Sequence, residues 1–202
     1  APTNSAEEPF FIAPGGSDSD PGTADRPWKS WEHALKQLHP GESLVVKDGT
    51  YSAATGAGFP YINGKLGYKS GTAEQPITVR AENERRAFID GDGTAAGKLR
   101  VYHVSHWVFQ GLRIKGKDLN VSAGDNGVQI YQSNFVTLRR LLVTHNNRYT
   151  NSHLMTLVES NNLLVEECEF YDFHRHAIDV SGSNHGIYRR NYANSRGYAD
   201  LP

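Results

Sequence analysis

An apolar–x–apolar–x–x–apolar–x–apolar rhythm returns in frame through the second half of this chain, and that recurrence narrows the possible folds more than any other feature. Trp107, Phe109, Leu112 and Ile114 form one set, Val136, Leu138, Leu141 and Val143 the next, and Leu163, Val165, Cys168 and Phe170 a third. A degenerate fourth, in "GIYRRNYA", holds Gly186, Tyr188, Asn191 and Ala193. The sets are offset by 29, 27 and 23 residues. Upstream, Ile77 with Val79 and Leu44 with Val46 continue the series at offsets of 30 and 33.

A second short strand pattern precedes each of these sets: "VQIYQ", "MTLVE" and "IDVSG". In that frame Val128, Met155 and Ile178 correspond, as do Ile130, Leu157 and Val180. A polar corner follows each one: Ser133-Asn134, Ser160-Asn161, Ser183-Asn184. Asparagine tolerates the left-handed backbone that a sharp corner needs. Period-2 strands broken by tight corners describe a coiled sheet. A single coil cannot bury its apolar face alone, so coils stack, about 4.8 Å apart. The pattern predicts an all-β solenoid of about five to six coils, with Trp107, Val136 and Leu163 in one interior column. A β-sandwich leaves the in-frame corners unexplained. A barrel of βα units needs helical patterns between strands, and none is visible after residue 40.

One helix stands out before the repeats. In "SWEHALKQLHPGE", Trp31, Ala34, Leu35 and Leu38 share a face, Ser30 is the expected N-cap, and Pro40-Gly41 stops the helix. Such a helix is expected to cover the open apolar end of the stack. The chain thus divides into a disordered or extended start (1–9), an N-terminal cap (10–43) and coils (44–202). The last residues, "YADLP", fall where a strand is expected, so the final coil is read as incomplete. Leu201, Ala199 and Ile187 would then be exposed, and contact with a second chain or another copy is expected there.

Composition removes several classes of function. The 202 residues suffice for one domain with a sizeable core. The net charge is -1 and the 21 basic residues form no run, which argues against nucleic acid and against an anionic membrane surface. No apolar run approaches the roughly 18 residues of a membrane span. The single cysteine, Cys168, excludes an internal disulfide and reads as a small buried hydrophobe. The polar opening "APTNSAEEP" looks like the beginning of a mature secreted chain, so a secreted or cell-surface location is expected.

The N-terminal half carries a resemblance. The stretch "FFIAPGGSDSDPGTADRPWKSWEHALKQLHPGESLVVKDGTYS", then "GTAEQPITVRAE" and "WVFQGLRIKG", resembles secreted right-handed parallel β-helix proteins of the pectate-lyase-like superfamily. In particular it resembles bacterial polysaccharide lyases of the family 9 and family 6 types. The likeness is good over residues 10 to about 115 and continues as a generic coil pattern. It implies a right-handed parallel β-helix with a capping helix. It also implies a polysaccharide substrate, with functional residues on the outward face of one strand column and its flanking loops.

On the column before the Ser-Asn corners, alternate residues face outward. One outward series reads Arg100, Gln129, Thr156, Asp179, Asp200, and the next reads Tyr102, Tyr131, Val158, Ser181. His153 and His176 lie at matching offsets just upstream of Thr156 and Asp179. Like charges one strand apart repel. An Asp179–Asp200 pair therefore points to a bound calcium ion, a shared proton or a nearby base. Arg175 and His176 can also relieve the repulsion. The catalytic candidates are Asp179, Asp200, His176 and His153, with Arg100 considered near the base position. Asp179 and Asp200 are the candidate calcium ligands. Arg100, Tyr131, Arg148, Arg175 and His145 are the candidate sugar-binding residues, because arginine and tyrosine suit anionic or ring-stacked sugars. In "FHRHAID", His174 and His176 can be metal ligands or simply a surface cluster. Asp18 with Asp20, and Asp90 with Asp92, read as turn formers, since neither stretch has the length of a calcium loop. Asn120 opens an N-V-S sequon. The expected function is a lyase cleaving a uronate-containing polysaccharide by β-elimination. A glycoside hydrolase on the same scaffold and a non-catalytic carbohydrate-binding or structural module are the alternatives.

Overall fold

A computed structural model describes residues 8–91, 99–116, 127–144, 153–173 and 175–195 of the chain. Among these, the strands form three parallel sheets, of seven, six and five strands, wound as a right-handed parallel β-helix. One turn runs from the five-stranded sheet (Val128–Tyr131) through a corner to the seven-stranded sheet (Thr137–Arg139). It then passes through a tighter corner to the six-stranded sheet (Leu142–Thr144) and returns to the five-stranded sheet at His153–Val158.

The repeat frame read from the sequence is the register of the structure. Val128, Met155 and Ile178 pair in succession, as do Ile130, Leu157 and Val180. Trp107, Val136 and Leu163 are all buried, each stacked beneath the next coil. One offset differs. Leu44 pairs with Val79, not Ile77, so that step is 35 residues. A slip of two keeps every side chain on its face, because strand side chains alternate with period two. The apolar rhythm alone cannot detect it. In the degenerate fourth set, Asn191 occupies the inward place of Cys168. Its Oδ1 accepts from the Cys168 N–H at 2.9 Å and its Nδ2 donates to the Val165 carbonyl at 2.9 Å. Cys168 itself is fully buried, and burial pushes its thiol up to about 11.

The Ser-Asn corners differ from expectation in an informative way. The left-handed residues are those on either side of the dipeptide: Gln132 and Phe135, Glu159 and Asn162, Gly182 and His185. Asn134, Asn161 and Asn184 are used for their side chains. The Asn134 Oδ1 accepts the Asn161 N–H at 3.0 Å, and the Asn161 Oδ1 accepts the Asn184 N–H at 2.9 Å. A parallel serine ladder runs from the Ser133 N–H to the Ser160 Oγ and from the Ser160 N–H to the Ser183 Oγ. These ladders satisfy backbone donors where the sheet hydrogen bonds lapse. Asn161→Leu is expected to take the acceptor from the Asn184 N–H, which is exposed so that water replaces part of the loss, and to cost about 0.5–1 kcal/mol. An unchanged urea midpoint would show that the ladder adds nothing.

The helix, Trp31–Gln37, lies at the N-terminal end of the stack. The Ser30 side chain caps it by accepting from the His33 N–H at 3.2 Å. Trp31, Ala34, Leu35 and Leu38 are fully buried, so the helix closes the core as the sequence predicts. Asp18, expected to serve its own turn, instead ties that segment to the start of the helix, accepting from Lys29 N, Ser30 N and Ser30 Oγ at 2.6–2.9 Å. At the other end the last described coil exposes Val180, Ile187, Tyr188 and Tyr192. Leu201 and Ala199 lie outside the described residues. No helix among the described residues is long and apolar enough to cross a membrane.

Candidate active site

The five-stranded sheet presents the candidate residues because its inward positions are filled by apolar side chains, which forces their neighbours outward. The outward series pairs as Tyr61, Arg100, Gln129, Thr156 and Asp179 on successive strands, and beside it run Asn63, Tyr102, Tyr131, Val158 and Ser181. At the far end His153 pairs with His176.

Three of the catalytic candidates converge. The His153 and His176 rings stack with centroids 4.9 Å apart. The His176 Nδ1 lies 3.6 Å from the Asp179 Oδ1. Nitrogen and oxygen donors of His153, His176 and Asp179 all fall within 4.8 Å of one another. Burial holds His153 below the usual imidazole range. Asp179 opposes that shift, while His176 and Arg175 reinforce it. A neutral imidazole beside a carboxylate can accept a proton near neutral pH. Asp200, the expected partner of Asp179, lies outside the described residues, as do His145, Arg148 and His174.

The same three residues are the described group able to hold a metal ion, whereas of the calcium pair expected from the sequence only Asp179 is described. Calcium takes six to eight oxygen ligands, whereas two imidazoles and one carboxylate suit a cation such as zinc. The described donors therefore do not make a calcium shell.

Arg100 stands three strands from Asp179, about 14 Å away at the usual strand spacing. It is therefore too far to serve as a base there. Its guanidinium sits 5.8 Å over the Tyr61 ring. Tyr61 and Tyr102 meet edge to face at 5.6 Å, and Tyr102 and Tyr131 at 5.7 Å. The Tyr102 hydroxyl donates to Gln129 Oε1 at 2.5 Å, and Asn63 Nδ2 donates to the Tyr61 hydroxyl at 2.9 Å. Sequence reading selected Tyr131 but not Tyr61, which falls outside the repeat rhythm. It could have selected Tyr102, which lies one full repeat before Tyr131.

The comparisons with known proteins bear on the fold and the family. The family described as "Pel9A-like, right handed beta helix region" matches residues 10–199. A pectate lyase, PEL9, of Emericella nidulans is 27% identical over 170 residues, which cover 77% of this chain and 37% of that protein. Pectate lyase L of Dickeya chrysanthemi is 31% identical over 114 residues, covering 52% and 25%. The chain thus spans between a quarter and two fifths of these relatives. Among solved structures, a rhamnogalacturonan lyase superposes with a TM-score of 0.60 at 14% identity, over 93% of this chain and 62% of that one. A lacto-N-biosidase from Eubacterium ramulus gives 0.59 at 16%, over 80% and 34%. At such identities the structures speak for the fold alone.

Proposed function

The chain belongs to the Pel9A-like right-handed β-helix family, and from that premise we propose that it is a polysaccharide lyase, acting outside the cell on a uronate-containing polymer. The observation that carries this reading is the meeting of His153, His176 and Asp179 on the outward face of the five-stranded sheet, next to Arg175. The pectate lyase relatives support the reaction class.

β-Elimination sets two tasks. The uronate carboxylate must be neutralised, and the proton on the adjacent carbon must be removed. The C–H electron pair becomes the ring double bond, the bond to the glycosidic oxygen breaks, and that oxygen takes a proton from water. In this chain Arg175 supplies positive charge beside the cluster. His153, kept neutral by burial, takes the proton. Asp179 then stabilises the imidazolium that forms, and His176 orients Asp179 through their 3.6 Å contact. Tyr131, Tyr102 and Arg100 line the approach along the same face.

The test is incubation with pectate, alginate and chondroitin. The expected result is the ultraviolet absorbance of an unsaturated uronate from one of them. New reducing ends without that absorbance would make the protein a hydrolase. Binding without cleavage would leave a carbohydrate-binding module.

A further inference from the structure

A cleft at the N-terminal end lies far from His153. It is a cavity of about 600 Å³ between the capping helix and the strand Tyr61–Asn63, and Glu32, Lys36, Phe59, Tyr61, Leu66 and Tyr68 line it. As a cap, the helix needs only its buried face. Its outer face, with Glu32 and Lys36, instead walls this cavity together with rings from the first coils.

Two observations connect the cavity to the candidate active site. Tyr61 belongs to both, lining the cavity and standing first in the outward series that ends at Asp179. From Tyr61 the aromatic contacts continue to Tyr102 and Tyr131 without a gap. The five strands of this sheet place Tyr61 four steps from Asp179, about 19 Å along the stack. That distance suits several consecutive sugars of an extended polymer.

The chemistry of the cleft fits such an occupant. The side chains of Tyr61 and Phe59 and the exposed Leu66 offer apolar surface for the C–H faces of pyranose rings. Lys36 is tied to Glu32 at 2.7 Å and lies 5.9 Å from the Tyr68 ring centroid, so the helix wall is close to neutral overall. Arg100, outside the lining but over the Tyr61 ring, adds positive charge beside it.

We propose that the capping helix and the strand Tyr61–Asn63 form a distal sugar-binding site, which holds the same polymer several sugars away from the point of cleavage. The identity of the polymer rests on the lyase reading. The existence of the site does not.

The experiment measures binding by calorimetry with pectate, alginate and chondroitin oligosaccharides, each as a trisaccharide and as a long oligomer. Wild-type protein is expected to hold the long oligomer of one polymer more tightly than its trisaccharide. Leu66→Asp is expected to weaken the long oligomer about tenfold and to leave the trisaccharide unchanged, and Tyr61→Ala to weaken the long oligomer at least as much. Leu66 is mostly exposed, so its variant tests the site without risk to the core. Equal wild-type affinity for long and short chains would overturn the proposal, as would unaltered long-chain binding in Leu66→Asp or no binding to any of the three. Tight long-chain binding lost in both variants, without any unsaturated product from wild type, would keep this site and reject the lyase reading.

Discussion

His153→Gln is expected to lower the rate of unsaturated-product formation by about 10²–10⁴-fold, the range for loss of a positioned general base, while the protein remains folded. Glutamine keeps much of the size of histidine and its ability to hydrogen-bond, so the stacking place beside His176 remains filled. What it lacks is a basic lone pair. The pH profile provides a second check that a purely structural role would not move. The wild-type base must be deprotonated to act, so activity is gained as pH rises through the His153 pKa. Burial holds that pKa below the ordinary imidazole value, so the acid limb should lie lower than for a solvated histidine. Asp179 pulls the His153 pKa upward. Asp179→Asn should therefore move the acid limb lower still, on top of a large fall in rate. Full activity in His153→Gln, or an acid limb that Asp179→Asn leaves in place, would put the base elsewhere on this face.

Glu166→Ala is expected to be the most damaging of the single polar truncations considered for the scaffold. Glu166 is almost fully buried on the outward side of the seven-stranded sheet, between Arg139 on the preceding coil and Arg189 on the following one. Its Oε1 accepts from Arg139 Nε and Nη2 at 2.6 Å. Its Oε2 accepts from Arg189 Nε and Nη2 at 2.7 Å and from Arg190 Nη2 at 3.1 Å. Removing the carboxylate leaves three guanidinium groups close together, with Arg190 still held by Glu167 at 2.8 Å. A fully buried pair broken in this way costs about 3–5 kcal/mol. The arginines here keep between a third and three fifths of their surface in solvent. Water then offsets part of the loss, and about 2–3 kcal/mol is the better figure. For a chain of this length that lowers the melting temperature by about 5–10 °C.

The pH dependence of this effect has a definite sign. The hydrogen bond from Arg189, then that from Arg139, holds Glu166 below the usual carboxylate range against the opposing effect of burial. The folded value is thus below the unfolded one, about 4.3. The stabilisation is complete above the unfolded value and is lost as pH falls through the folded one. Wild type and Glu166→Ala should differ most near neutral pH and converge in acid. A constant difference across that range would mean that the charge of Glu166 contributes nothing.

What could be read from the chain beforehand was whatever repeats locally. Alternation with period two fixes which face of a strand is apolar, and the return of that alternation at 23 to 29 residues fixes which residues stack. The columns through Met155 and Leu157, the outward place of Asp179, and the pairing of His153 with His176 all follow from counting. The buried face of the helix followed in the same way from its 3.6-residue period. Counting failed where two answers share a parity, as at Leu44, whose partner lies two residues beyond the one the rhythm suggests.

Only the tertiary structure decided the contacts that depend on direction and distance rather than register. It turned the corner asparagines from backbone specialists into rungs of a hydrogen-bond ladder. It gathered Arg139, Arg189 and Arg190 around one glutamate. It also put Tyr61, outside every repeat, at the head of the aromatic path and on the wall of the helix cleft. Side-chain convergence of this kind comes from coils stacked about 4.8 Å apart. Residues distant in the sequence become neighbours across that spacing, and the periodicity of a single strand carries no record of where their side chains turn.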